Sequence, residues 1–95
     1  MGLGRRGLSD ANYLDGSVAW NAASIADGDE EAKEVTVTGA VLGDFVDSSL
    51  SIDITDLALV AAVTAANTVT ATLLNNTGGA INLGAATLYV RVYGK

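Results

Sequence analysis

Residues 2–7 read GLGRRG, the G-x-G-x-x-G spacing at which a tight turn and a helix N-terminus cradle a dinucleotide's pyrophosphate. That chemistry needs a strand feeding the turn and a helix leaving it. Here only Met1 stands before Gly2, no run after Gly7 has helical apolar spacing, and no βαβ unit follows, so no nucleotide site is expected. N-myristoylation fails as well, because Arg6 stands where Ser or Thr is required. The stretch reads instead as a basic arm, with Gly2, Leu3, Gly4, Arg5 and Arg6 as candidate contacts to a partner. Glycine lets backbone approach a neighbour closely, and the two guanidinium groups can pair with its carboxylates.

Carboxylates offer two further chemistries. Asp27, Asp29 and Glu31 alternate like the first ligands of a calcium loop, but that loop needs Gly at its sixth position and Glu at its twelfth, where this chain has Ala32 and Thr38. A solvated turn is the expectation, with no metal. Asp44, Asp47, Asp53 and Asp56 supply acids for glycoside hydrolysis, which also needs a cleft; five aromatic residues are too few to wall one. The chain has no Cys and no His, which removes thiolate nucleophiles, Cys/His zinc sites and His-based catalysis. No catalytic residue and no cofactor is expected, and the chain is not expected to be an enzyme. Tyr89, Arg91 and Tyr93 point one way on the last strand and suit a sugar or a partner surface, or else a plain half-exposed outer face. Asn75-Asn76-Thr77 spells an N-glycosylation acceptor.

The elements that must position these groups show a period of two. KEVTVTG (33–39) puts Val35 and Val37 on one face. DFVDSSLSIDITD (44–56) puts Leu50, Ile52 and Ile54 inward, TVTATLL (68–74) does the same with Val69, Ala71 and Leu73, and TLYVRVYG (87–94) with Leu88, Val90 and Val92. Alternation with β-branched residues marks half-buried strands. Turn signals separate them: Asp27-Gly28, Gly43-Asp44, Ala66-Asn67, residues 75–79 and Gly84. Residues 1–17, with four glycines and no sustained period, read as an extended N-terminal arm, and residues 18–95 as the domain, opening with a short strand at Val18, Ala19 and Trp20. The segment LALVAAVTAA (57–66) is apolar on both faces. It fits a helix of two to three turns, or a strand with one face in the core and the other against a partner subunit, with Leu57, Leu59 and Val60 as candidate interface residues; the β-branched residues and the closely flanking strands favour the strand. Trp20 suits either the core or a subunit boundary.

Ninety-five residues make one domain, and a monomer of this size buries only about 60–65% of the surface its unfolded chain exposes. Yet 49% of the residues are hydrophobic, 16 of them Ala, so the core is thin and apolar positions are in surplus. That surplus predicts burial against copies of the chain or another protein. The net charge of −6 argues against a nucleic-acid binder. No apolar run approaches the roughly 18 residues of a membrane span. Nine carboxylates and the single Lys33 lie between Asp27 and Asp56, while Arg5, Arg6, Arg91 and Lys95 lie near the ends. Such segregation suits head-to-tail contact between copies or basic termini docking on an acidic neighbour, or else serves solubility.

In order and spacing, VTVTGAVLGDFV (35–46) followed by AANTVTATLLNNTGGAINLGAATLYVRV (65–92) resembles the capsid decoration, or cement, proteins of bacteriophages. The resemblance covers roughly residues 18–95 and implies an all-β, jelly-roll-like sandwich or small barrel, often trimeric. It implies a homo-oligomer, a trimer, that binds the major capsid protein on the outer surface of the virion and stabilises the shell, without nucleic acid or membrane. Tyr89, Arg91 and Tyr93 join Trp20 and the 57–66 strand as candidate interface residues. The alternative reading is a carbohydrate-binding or host-adhesion module displayed on a virion.

Overall fold

The structure, a computed structural model, describes residues 13–95. The chain runs through β1 (Tyr13–Ala22), β2 (Glu30–Thr36), β3 (Phe45–Leu50), β4 (Ala58–Ala65), β5 (Thr68–Leu74) and β6 (Gly84–Tyr93). They form two antiparallel three-stranded sheets, β1-β6-β3 and β2-β5-β4, and no helix occurs among the described residues. The fold is therefore all-β, two sheets with their apolar faces together. Segment 57–66 is extended and holds the strand Ala58–Ala65, whose inward side puts Val63 in the core, with Leu57 buried just before it.

Period-two alternation decides which side chains meet between the sheets. From β1-β6-β3 come Trp20, Ala22, Leu88, Val90 and Val92; from β2-β5-β4 come Val35, Val63, Val69, Ala71 and Leu73. Leu73 and Leu88 have no exposed surface at all, and burying each stabilises the fold by about 1.5–3 kcal/mol. Gly16 faces inward from β1, where an added Cβ would lie 2.7 Å from Cγ2 of Val37. A side chain there has no room, so this glycine sets how closely β1 approaches the other sheet.

Two asparagines fasten the ends. Asn67 in the β4–β5 turn has φ 63°, a region Asn tolerates better than most residues. Its side chain accepts from Gly39 N–H at 2.8 Å, its carbonyl accepts from Val37 N–H at 2.9 Å, and its N–H donates to the Ala40 carbonyl at 2.9 Å. At the other end Asn75 is 1% exposed. Its Nδ2 donates to the carbonyls of Ile25 (2.7 Å) and Gly79 (2.9 Å), and its Oδ1 accepts from Thr77 N–H (2.9 Å) and Oγ1 (2.7 Å). The apparent glycosylation acceptor is a buried clamp whose amide nitrogen is engaged twice.

Two boundaries differ from the sequence reading. Residues 13–17, assigned there to the arm, belong to β1, which pairs with β6 from Tyr13↔Tyr93 to Ala22↔Gly84; the rest of that arm, with Gly2, Leu3, Gly4, Arg5 and Arg6, lies outside the described residues. Conversely, β3 ends at Leu50 and does not run on through residues 51–56. Asp53 Oδ1 accepts from Thr55 N–H at 2.9 Å, and Thr55 has φ 55°, so the chain turns where alternation alone suggested a straight continuation.

Candidate functional site

Side chains that point away from the core make two outer faces. On the β1-β6-β3 face, strand register aligns the side chains in rows across the sheet. Tyr13, Tyr93 and Phe45 form one row, Asp15, Arg91 and Asp47 the next, and Ser17, Tyr89 and Ser49 the third. Directly opposed cross-strand neighbours stand about 4.5–5.5 Å apart, and successive rows about 7 Å apart. The sheet thus presents an aromatic row, a charged row, and a row in which Tyr89 stands between two serine hydroxyls.

The charged row holds itself in place. Arg91 Nε donates to Asp15 Oδ1 at 2.9 Å, with both side chains about half exposed. The guanidinium carbon lies 4.0 Å from the centroid of the Tyr13 ring, a cation–π contact, and Tyr13 in turn meets Tyr93 with ring centroids 6.1 Å apart at 58°. The hydrogen bond to Asp15 raises the Arg91 pKa above its ordinary value, aided by the Asp15 charge, Tyr13 and Tyr93 and opposed by partial desolvation. A raised pKa on a cation means that its contribution is complete below the unfolded value and lost only as pH climbs through the folded one, here in strong alkali. Arg91 therefore introduces no switch near neutrality. Asp47, across the row from Arg91, makes no hydrogen bond among the described residues, and Tyr89 is 50% exposed. These groups border a shallow depression of about 610 Å³.

The β2-β5-β4 face carries mostly short side chains, with Glu34 along the β2 edge and Glu30 and Leu74 at one end. Thr70 and Thr72 of β5 lie between Glu34 and Ala32 of β2 and Ala62 and Val60 of β4. Val60 is 52% exposed. Thr64 and Thr70 share a hydrogen bond at 2.7 Å. At the end of the molecule by the β2–β3 connection, Val41, Leu42 and Phe45 are 41%, 59% and 66% exposed. Large apolar groups are thus left in water in the β2–β3 connection and the strand it enters, on β4, and at Tyr89.

The candidate interface residues divide under this geometry. Val60, Tyr89 and Arg91 are exposed, and Leu59 and Tyr93 are half-buried. Trp20 and Leu57, each 5% exposed, both point into the core: Trp20 takes the core reading of its two alternatives because β1 is a full strand with that position inward, and Leu57, named as an interface residue, shares the inward side with Val63. The expectation that the basic residues near the C-terminus reach for an acidic neighbour meets a competing use: Arg91 binds Asp15, and Lys95 Nζ donates to the Leu42 carbonyl at 2.9 Å. Among the acids, Asp27 accepts from Gly78 N–H at 3.0 Å and Asp29 from Glu30 N–H at 2.8 Å, so both fasten turns. Asp44 accepts from Val41 N–H at 3.1 Å at the start of β3, and no group of three or more His, Cys, Asp or Glu suited to a metal occurs among the described residues.

Tyr13, Asp15 and Phe45 were missed as site residues, and Asp47 was weighed only as a hydrolytic acid. Tyr13, Asp15 and Ser17 alternate with Leu14, Gly16 and Val18, which is a strand signature; reading Gly16 as loose-arm glycine concealed it. Compared with protein-family models, curated proteins and solved structures, the chain matches none.

Proposed function

We propose that this domain is a structural docking module, a decoration protein that binds the outer surface of an assembled phage capsid and stabilises it. The observation that carries the reading is the apolar surface left in water: Val41, Leu42 and Phe45 at one end and Val60 on the open face of β4, in a domain whose interior is already filled. Several large apolar side chains left exposed on a small protein suit contact with another protein. The flat Ala, Val and Thr surface around Val60 suits a second copy of the chain, and the tip at Leu42 suits a groove in a shell subunit. The sequence resemblance to cement proteins supplies the identity of that shell as the major capsid protein, the trimer as the working form and the jelly-roll-like lineage of the sandwich.

The mechanism is linkage. A module that binds the assembled shell and not its separated subunits stabilises the shell by the free energy of that binding. A trimer bridging several shell subunits gains further through multivalency, so each contact can be modest. Sedimentation of the purified chain, alone and mixed with undecorated heads, tests this. The expected result is an oligomer that co-sediments with heads and raises their disruption temperature. A monomer that stays in the supernatant beside the heads overturns the reading.

A further inference from the structure

We propose that the outer face of the β1-β6-β3 sheet is a binding platform for a neutral oligosaccharide, centred on Tyr89 and Arg91. This site lies on the sheet opposite the Val60 face and does not rest on capsid docking.

Three observations carry it. First, Tyr89 is half exposed and makes no ring contact among the described residues, so a face of its ring is open to the flat C–H side of a sugar. Tyr93 lies four residues on along the same strand, roughly 13 Å away, which leaves room for more than one sugar unit between the rings. Second, the row between the two tyrosines carries donor and acceptor side by side. Asp47 faces Arg91 across the strand pair with its carboxylate uncommitted among the described residues, while Asp15 and the Tyr13 ring hold the guanidinium in position. A sugar hydroxyl donates and accepts at once, so adjacent hydroxyls fit a carboxylate beside a guanidinium. Third, the charges argue for a neutral ligand. Two carboxylates flank one guanidinium, so an anionic chain meets acids on both sides and a cationic one meets Arg91 at the centre. The preformed Arg91–Asp15–Tyr13 arrangement lowers the ordering cost of binding.

The test uses the full chain and a panel of neutral hexaoses built from glucose, mannose, galactose or N-acetylglucosamine, with a sulfated hexaose and a basic peptide as further arms. Amide chemical shifts are followed as each is added up to about 5 mM, a range that detects the weakest useful affinities. The expected result is saturable shifts at Ser17, Asp47 and Tyr89 for one or more neutral sugars. Tyr89→Ala and Asp47→Ala should each weaken that binding about tenfold while melting temperature stays unchanged. Both positions are exposed, so the variants fold, and a Val60→Lys variant should bind sugar as the parent does. The proposal is overturned by no shift with any neutral sugar, by binding that both substitutions leave intact, or by a response to the sulfated sugar or basic peptide alone.

Discussion

On the outer face of the β1-β6-β3 sheet, Arg91 donates to Asp15 and covers the ring of Tyr13; on the outer face of the β2-β5-β4 sheet, the central strand offers Thr70 and Thr72 flanked by Ala62 and Val60. The inward sides of the two sheets are alike, Val and Leu against Val and Leu, because both answer to the same core. The outward sides are not held to that core, so their side chains are free to differ. Long side chains normally lose rotamer freedom on binding; here Arg91, Asp15 and Tyr13 have restricted one another already, giving a shaped, polar surface suited to a small ligand. Ala, Val and Thr have little rotamer freedom to lose, so a face made of them can be covered by another protein at small entropic cost. One fold thus carries two surfaces of different character.

The hardest test of this comparison starts beneath the faces. If the sheets are equivalent inside and differ only outside, Leu73→Ala and Leu88→Ala should destabilise the domain equally, by about 2–5 kcal/mol each. Urea unfolding of the two variants measures it. A loss below about 1 kcal/mol for one of them breaks the premise that both sheets share a single core.

Next in size is Gly16→Ala. The new methyl group would meet Val37 Cγ2 at 2.7 Å and push β1 away from β2, which should cost about 1–3 kcal/mol. Adding Val37→Ala to the same chain should return part of that loss, a coupling that a double-mutant cycle resolves. The single variant should also disturb the Asp15–Arg91 row that β1 carries, and leave the Val60 face unaltered. Equal disturbance of both faces would show that they are not independently positioned.

The strands were legible in the sequence wherever alternation was long and unbroken: Val35 with Val37, the Val69–Ala71–Leu73 triplet and the Leu88–Val90–Val92 triplet all point into the core as their spacing requires. Residues 57–66 were harder, because Leu, Ala and Val satisfy helix and strand alike, and the flanking strands settled the matter. Legibility failed where a local hydrogen bond or a close packing contact overrides pattern. Asp53 turns the chain after β3 through one side-chain bond, and Gly16 sits in β1 because Val37 leaves it no space for a side chain. Asn75 looked like part of a loose loop; its role rests on carbonyls of Ile25 and Gly79, the first of them 50 residues away in sequence, and no local pattern announces such a contact. The candidate site was half visible: Tyr89, Arg91 and Tyr93 share a strand, whereas Asp15 and Asp47 reach the same face only through the pairing of β6 with both its neighbours.

The smallest expected change in stability sharpens the comparison most. Val60→Lys alters an outward side chain that is already 52% exposed, so unfolding free energy should move by no more than about 0.5 kcal/mol. Its effect on assembly should be large. A copy of the chain closing over this face would bury the new ammonium among Ala, Val and Thr side chains, with Glu34 two strands away, at a cost exceeding what a contact of small side chains supplies. Sedimentation velocity should therefore show the oligomer reduced to monomer, while Tyr89→Ala on the other sheet leaves the sedimentation coefficient where it was. If Tyr89→Ala dissociates the oligomer as well, the polar face is part of the same protein contact and the division of labour between the sheets fails. If Val60→Lys changes nothing, self-association runs instead through the Leu42 tip, and the short-side-chain surface has a different partner.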